Sequence, residues 1–135
     1  MVSNIAAVPV TDTAYGYIAT SGESVTEQHI AGLDTEDAVR AYFKDIPVMI
    51  QIARCESHFR HILSDGSVLR GKVDSADVGV MQINTRYHGQ TASDLGLNLL
   101  NLYDNMSYAR DLYERQGTKP WSASAPCWER TLAMK

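Results

Sequence analysis

From Asp34 onward the chain shows helical apolar spacing, loses it between Ser64 and Asn84, and regains it toward the C-terminus. That order limits the folds open to it. Val39, Tyr42 and Phe43 fall at i, i+3 and i+4, on one helical face. Asp34 or Thr35 can cap this helix, and the acids Glu36 and Asp37 suit the positive end of its dipole. Pro47 suits the first turn of a second helix, capped near Asp45. Val48, Met49, Ile52, Ala53 and Phe59 make it a core helix, with Glu56 near its end, on or beside the buried stripe. Ser64-Asp65-Gly66-Ser67 and Arg70-Gly71-Lys72 then signal turns. Val68, Leu69, Val73, Val78, Val80 and Ile83 around them predict a small antiparallel hairpin or irregular β-lobe. Leu95 to Leu102 predicts a short helix. Asn105 to Gln116 predicts a longer one, with Met106, Ala109, Leu112 and Tyr113 on one side and Gly117 as its C-cap. One helical turn is expected around Trp121. Helices, a β insertion and helices again read as an α+β fold. A mainly helical lobe facing a small β-lobe leaves a cleft between them, where ligands bind by preference.

At 135 residues the chain is one domain's worth, and 44% hydrophobic with 21% charged residues marks it as globular. Residues 1–33, rich in Ser, Thr, Ala and Gly, read as an N-terminal arm that is loosely ordered or packed along the surface. Residues 34–135 read as the folded domain. Twelve Lys+Arg against sixteen Asp+Glu leave a net charge of −4. That balance argues against a dedicated nucleic-acid binder. It also argues against charge attraction as the main route to an anionic membrane or wall polymer. No apolar run approaches the roughly 18 residues of a membrane span, and a monomer is expected. Met1 to Val10 lacks the basic region and long apolar core of a signal peptide.

Two cysteines are present, Cys55 and Cys127, and neither lies in a Cys-x-x-Cys pair. Redox and zinc-finger readings therefore get no support. The two either form one disulfide, worth about 4 kcal/mol for a loop of that length, or remain buried thiols. A disulfide would imply an oxidising compartment.

Two stretches carry chemistry. Glu56 follows a strongly apolar helix, where loss of solvent raises a carboxyl's pKa and leaves it able to donate a proton. The plain alternative is a solvated charge at a helix end. In Asp77-Val78-Gly79-Val80-Met81-Gln82-Ile83-Asn84, strand alternation would put Val78, Val80 and Gln82 on one side, and Gly79, Met81 and Ile83 on the other. Gly79 would admit a close backbone or ligand. Gln82 and Asn84 offer amides suited to sugar hydroxyl and acetamido groups. The alternative is an ordinary edge strand facing water.

The series Cys55-Glu56-Ser57-His58-Phe59, a turn-rich stretch, and Gly79-Val80-Met81-Gln82-Ile83-Asn84 resembles the lysozyme superfamily. Glu-Ser followed by Gly-Leu-Met-Gln is the signature of soluble lytic transglycosylases, to which goose-type lysozymes are related. The run Ser75 to His88 also resembles the Asp-Tyr-Gly-Ile-x-Gln-Ile-Asn-Ser-Arg segment of animal C-type lysozymes. Asn105 to Leu112 is similar to the transglycosylase Asn-x-x-x-Ala-x-x-Leu helix. The likeness covers about residues 38–128. It lacks the transglycosylase Ala-Tyr-Asn motif, in whose place stands Trp121-Ser-Ala-Ser, and the C-type disulfide framework.

The resemblance implies a lysozyme-like cleft enzyme, and the expected location is secreted or in the cell envelope or periplasm. It would need no cofactor or metal, and would act on the β-1,4 bond between N-acetylmuramic acid and N-acetylglucosamine in peptidoglycan glycan strands. Glu56 matches the catalytic acid and Asp77 the second carboxylate of the C-type branch. Ser57, Gln82, Asn84 and Tyr87 match substrate-contacting positions, and Trp121 resembles the tryptophan that packs near the acid. In retaining glycosidases the carboxyls stand about 5–5.5 Å apart; Asp77 that close to Glu56 implies hydrolysis. With Asp77 turned away, the substrate's own groups would act and a 1,6-anhydro sugar would form. Asp77 as a turn or cap residue is the plain alternative, and Asp65 and Asp74 sit in turns where Asp is common. Three rivals remain: a cysteine peptidase or amidase using Cys55 with His58, His61 or His88; a metal site on Cys55 and His58; and a non-catalytic glycan-binding module. His58 and His61 otherwise read as solvated helix-end residues.

Overall fold

The computed structural model describes residues 34–133. The N-terminal arm expected over residues 1–33 lies outside the described residues. The chain divides after Ala38. Five α-helices are described: α1 (Thr35–Tyr42), α2 (Pro47–Ser57), α3 (Thr85–Asp94), α4 (Leu102–Gln116) and α5 (Ala125–Ala133). A 3-10 helix, Lys119–Ser124, runs directly into α5. The strands β1 (Asp77–Val78) and β2 (Ile83–Asn84) pair antiparallel, Asp77 opposite Asn84 and Val78 opposite Ile83. Isolated antiparallel bridges, Ile62 with Val68 and Arg70 with Val78, extend this small β region. Helices flanking a short antiparallel hairpin make the fold a mixed, roughly α+β one. No described helix is long and apolar enough to cross a membrane.

Helix α2 is the centre of the core. Met49, Ile52 and Ala53 on its inner face are fully buried, each large side chain contributing about 1.5–3 kcal/mol relative to exposure. Pro47 occupies the first helical turn, as its fixed φ suggests. The residue before it in the cap position is Ile46, which supplies no side-chain hydrogen bond. Asp45, expected as the cap, instead holds Arg110 of α4 through both its oxygens at 2.9 and 3.0 Å. The Arg110 guanidinium also lies over the Tyr42 ring.

The segment from Asp77 to Asn84 is not one alternating strand. It is a hairpin whose turn, residues 79–82, is closed by Gln82 N–H to the Gly79 carbonyl at 3.0 Å. Val78, Val80 and Met81 are all fully buried and Ile83 nearly so, so both sides of the hairpin enter the core. A buried turn needs internal partners for its backbone polar groups. His61 Nδ1 accepts from Val80 N–H at 3.0 Å, and Asn105 Oδ1 accepts from Met81 N–H at 2.9 Å. Asn105 Nδ2 donates to the Val78 and Leu99 carbonyls, and Trp121 Nε1 donates to the Met81 carbonyl at 2.9 Å. His61, read as solvated, is therefore buried and structural. Gly79, at φ +78°, is required here: a Cβ would stand 2.4 Å from Asn105 Nδ2 and 2.7 Å from His61 Cε1. Val73, read as a β-prone residue, projects fully into solvent outside any strand.

The short third helix also differs from expectation. It is Thr85–Asp94, not Leu95–Leu102, which is mostly turn. Asn84 starts it by accepting the Arg86 and Tyr87 N–H groups. Only Ala92 of this helix is buried, so it carries no apolar period to read. Helix α4 buries Met106, Ala109 and Leu112 and ends at Gly117, whose N–H bonds the Tyr113 carbonyl. The single turn expected at Trp121 is a longer unit: the 3-10 helix, kinked at Trp121, and then α5.

Cys55 of α2 and Cys127 of α5 form a disulfide. Cross-linking positions 72 apart removes unfolded-state entropy worth about 4 kcal/mol. Reduction, or the double substitution Cys55→Ser with Cys127→Ser, is expected to lower the unfolding free energy by about that amount in guanidinium titrations. An unchanged midpoint would contradict the bond. Asn105→Leu strands three backbone groups in the core and is expected to cost about 3 kcal/mol or more in the same assay.

Candidate active site

Glu56 sits in the last turn of α2, and its backbone is tightly framed. On one side Cys55 is bonded to Cys127. On the other Ser57 is fully buried, its hydroxyl donating to the Ala53 carbonyl at 3.0 Å. The helix stops abruptly at His58 and Phe59, which both take left-handed backbone angles, φ 54° and 60°. Non-glycine residues rarely do so, and consecutive pairs at a helix end belong to tightly determined turns. The His58 N–H bonds the Arg54 carbonyl and Arg60 Nε bonds the Ser57 carbonyl, holding that turn.

The Glu56 side chain is half-buried. Ser124 Oγ, at the junction of the 3-10 helix and α5, donates to Glu56 Oε2 at 2.7 Å. Burial pushes the Glu56 carboxyl above the ordinary glutamate value. The Ser124 hydrogen bond pulls the other way, and the negative charge of Asp77 adds a smaller upward push. The balance favours a carboxyl that keeps its proton to higher pH than a surface glutamate.

Asp77 is half-buried on β1 and reaches Glu56 through its field. Its orientation is set across the hairpin. Asn84, its register partner, donates Nδ2 to Asp77 Oδ1 at 2.9 Å and to Asp74 Oδ2 at 3.0 Å. Asp74 accepts the Ala76 N–H, which, with its partners Arg86 and Asn84, holds its carboxyl below the ordinary range. Asn84 Oδ1 caps α3, so the Asn84 amide spends both hydrogens and its oxygen inside the protein. Gln82, at φ 52°, donates Nε2 to the Gly79 carbonyl at 3.0 Å. A Cβ at Gly71 would stand 3.0 Å from Gln82 Oε1 and 3.2 Å from Asp77 Cβ, so Gln82 and Asp77 flank the same backbone point.

The remaining residues picked from the sequence divide by exposure. Tyr87, in the first turn of α3, is 75% exposed. Trp121 is 3% exposed, with its indole N–H committed to the Met81 carbonyl. Its ring carries no further polar atom. Ser57, at 0% exposure, braces α2. Thus the structure brings Asp77 together with Gln82 and Asn84, and the charge of Asp77 is felt at Glu56. Ser57 and Trp121 are buried and present no surface to a ligand. The bond between Cys55 and Cys127 leaves neither as a thiol nucleophile or thiolate ligand. Among the described residues no cluster of His, Cys, Asp and Glu is placed to hold a metal ion. A cavity of about 460 Å³, lined by Arg70, Thr85, Ser93, Leu97 and Leu99 among others, includes none of the candidate catalytic residues.

Sequence reasoning missed Ser124, Asn105 and His61 as site-building residues. Ser124 lies in the Trp121-Ser-Ala-Ser string, which stood out only as a departure from a family motif. No family model matches the chain, and comparisons with curated proteins and with solved structures find no match.

Asp77→Asn keeps an acceptor for Asn84 and removes the charge. Glu56 is then expected to titrate lower than in the parent, as read from its side-chain carboxyl carbon by NMR across a pH series. A Glu56 titration left in place would mean that Asp77 does not act on it.

Proposed function

We propose that this protein is a peptidoglycan glycosidase that cleaves the β-1,4 bond between N-acetylmuramic acid and N-acetylglucosamine by lysozyme-type hydrolysis. The observation that carries the reading is Glu56: a carboxyl at the end of a core helix, half out of water, raised by burial, held by one hydroxyl and within the field of a second carboxylate. Such a group keeps its proton to higher pH than a surface carboxyl and can serve as the acid. It gives its proton to the glycosidic oxygen as the bond to the anomeric carbon breaks. Asp77, held by Asn84, provides negative charge opposite the oxocarbenium-like centre. Water then completes the cleavage, and Glu56 recovers its proton from it. Gln82 beside Asp77, and exposed Tyr87, are the groups that would contact the sugar. Asn84 and Trp121 act through the frame rather than at the surface. The disulfide suits the oxidising surroundings of a secreted or cell-envelope protein.

The charge of Asp77 acting on Glu56 is what favours hydrolysis over a transglycosylase reaction, in which the substrate's own groups replace the second carboxylate. Mass analysis of muropeptide products separates them: reducing ends support hydrolysis, and 1,6-anhydro ends support the transglycosylase.

Glu56→Gln preserves shape and an acceptor for Ser124. Clearing of a cell-wall suspension is expected to fall about 100-fold or more. A parent with no clearing activity, bound to walls equally well with or without the substitution, would make the protein a glycan-binding module. The same variant has a stability signature. Because the folded-state pKa is raised, the native chain holds a proton that the unfolded chain releases between the ordinary glutamate value and the raised one. The parent therefore loses stability as pH rises through that window and does not regain it above. Glu56→Gln lacks this loss. Its Tm is expected to exceed the parent's at about pH 7, with the gap closing toward about pH 4.

A further inference from the structure

Ser124 has two hydrogen-bond partners for one hydrogen. Its Oγ lies 2.7 Å from Glu56 Oε2 and 3.1 Å from the Trp121 carbonyl oxygen. A serine hydroxyl carries one O–H and two lone pairs, so it can give a full, linear hydrogen bond to only one of the two acceptors at a time. The two contacts match what the two protonation states of Glu56 would need. When Glu56 is ionised, the Ser124 O–H points at Oε2, a charge-assisted bond whose length fits 2.7 Å. When Oε2 carries the proton, it donates into a Ser124 lone pair, and the serine hydrogen turns to the Trp121 carbonyl. A rotation of one hydroxyl serves both states without movement of a heavy atom.

The second acceptor is fixed. Trp121 is anchored by its indole N–H on the Met81 carbonyl, and its own carbonyl also accepts from Trp128 Nε1 at 3.2 Å. A carbonyl has two lone pairs, so both donors are accommodated. The backbones bearing the two sides of this pair are cross-linked as well, since Cys55 adjoins Glu56 and Cys127 lies one helical turn from Ser124. We propose that Ser124 is a positioning residue for Glu56, whose hydroxyl reverses its hydrogen bond as the carboxyl loses and regains its proton.

The inference rests on Glu56 acting as the proton donor, and its test is built to separate the two claims. The charged group facing Glu56 is Asp77 of β1, which is left unchanged throughout. The Glu56 carboxyl carbon is titrated by NMR in the parent, Ser124→Ala and Ser124→Thr, with no substrate present. Ser124→Ala removes the donor to the ionised form, so Glu56 is expected to titrate about one unit higher. Ser124→Thr restores the hydroxyl and the parent value. In wall-clearing assays Ser124→Ala is expected to lower kcat about tenfold with KM near the parent's, and to move the alkaline limb of the pH profile upward. Should Ser124→Ala not fold, Ser124→Gly takes its place in both measurements. A Glu56 titration and alkaline limb unchanged by loss of the hydroxyl, or unrestored by threonine, overturns the proposal. A parent that shows the titration shift but clears no walls overturns the glycosidase reading and leaves the Ser124–Glu56 pairing standing.

Discussion

A buried turn is what the rest of this structure depends on. Residues 79–82 reverse the chain inside the core, with Val80 and Met81 wholly shielded from water. Turns normally lie at surfaces because water satisfies their backbone groups. Here side chains from three other segments do so: His61 accepts the Val80 N–H, Asn105 accepts the Met81 N–H, and the Trp121 indole N–H donates to the Met81 carbonyl. Because His61 Nδ1 accepts from Val80, its Nε2 carries the hydrogen given to the Leu100 carbonyl at 2.8 Å. The neutral ring is therefore built in, and burial holds its pKa below the ordinary histidine value. Protonation of Nδ1 would remove the acceptor and leave the Val80 N–H unpaired.

That turn also sets the geometry around Glu56. Trp121 is fixed because it answers the Met81 carbonyl, and the fixed Trp121 backbone bears on Ser124. Ser124 in turn meets the Glu56 carboxyl. The hairpin that brackets the same turn presents Asp77 at its first position, with Gln82 closing the turn and Asn84 tying Asp77 to the start of α3. One hydrogen-bonded unit thus places the hydroxyl that lowers the Glu56 pKa and the charge that raises it. Neither group comes from α2 itself, so the proton affinity of the carboxyl is a property of packing rather than of its own helix.

The parts legible in the sequence are those where local pattern and tertiary packing agree. The apolar stripe of α2, Pro47 in its first turn, the Gly117 cap and the Glu56 position at a helix end all follow from spacing and backbone preference. Turn signals and β-branched residues pointed to a small antiparallel hairpin. The parts that were not legible draw their order from elsewhere. Helix α3 has one buried residue and is nucleated by the Asn84 amide, so periodicity is silent on it. Alternation failed over residues 77–84 because strands of two residues are too short to alternate, and both faces meet apolar neighbours. His61 follows a helix end, the usual place for a solvated histidine, and only the buried turn explains its position. Ser124 is one of two serines in a short polar string, and nothing local distinguishes it from Ser122, which is exposed.

The disulfide joins the stability of the fold to the geometry of the candidate site. Domains of this size are held by about 5–15 kcal/mol in all, so a cross-link worth about 4 kcal/mol is a large share. It binds α2 to α5 at the two points nearest Glu56 and Ser124 in the chain. Reduction would therefore act twice: it lowers the global free energy, and it frees the segment bearing the hydroxyl from the helix bearing the carboxyl. A hydrogen bond of 2.7 Å tolerates little of that freedom. The cross-link holds a half-buried carboxyl and its hydroxyl donor in register.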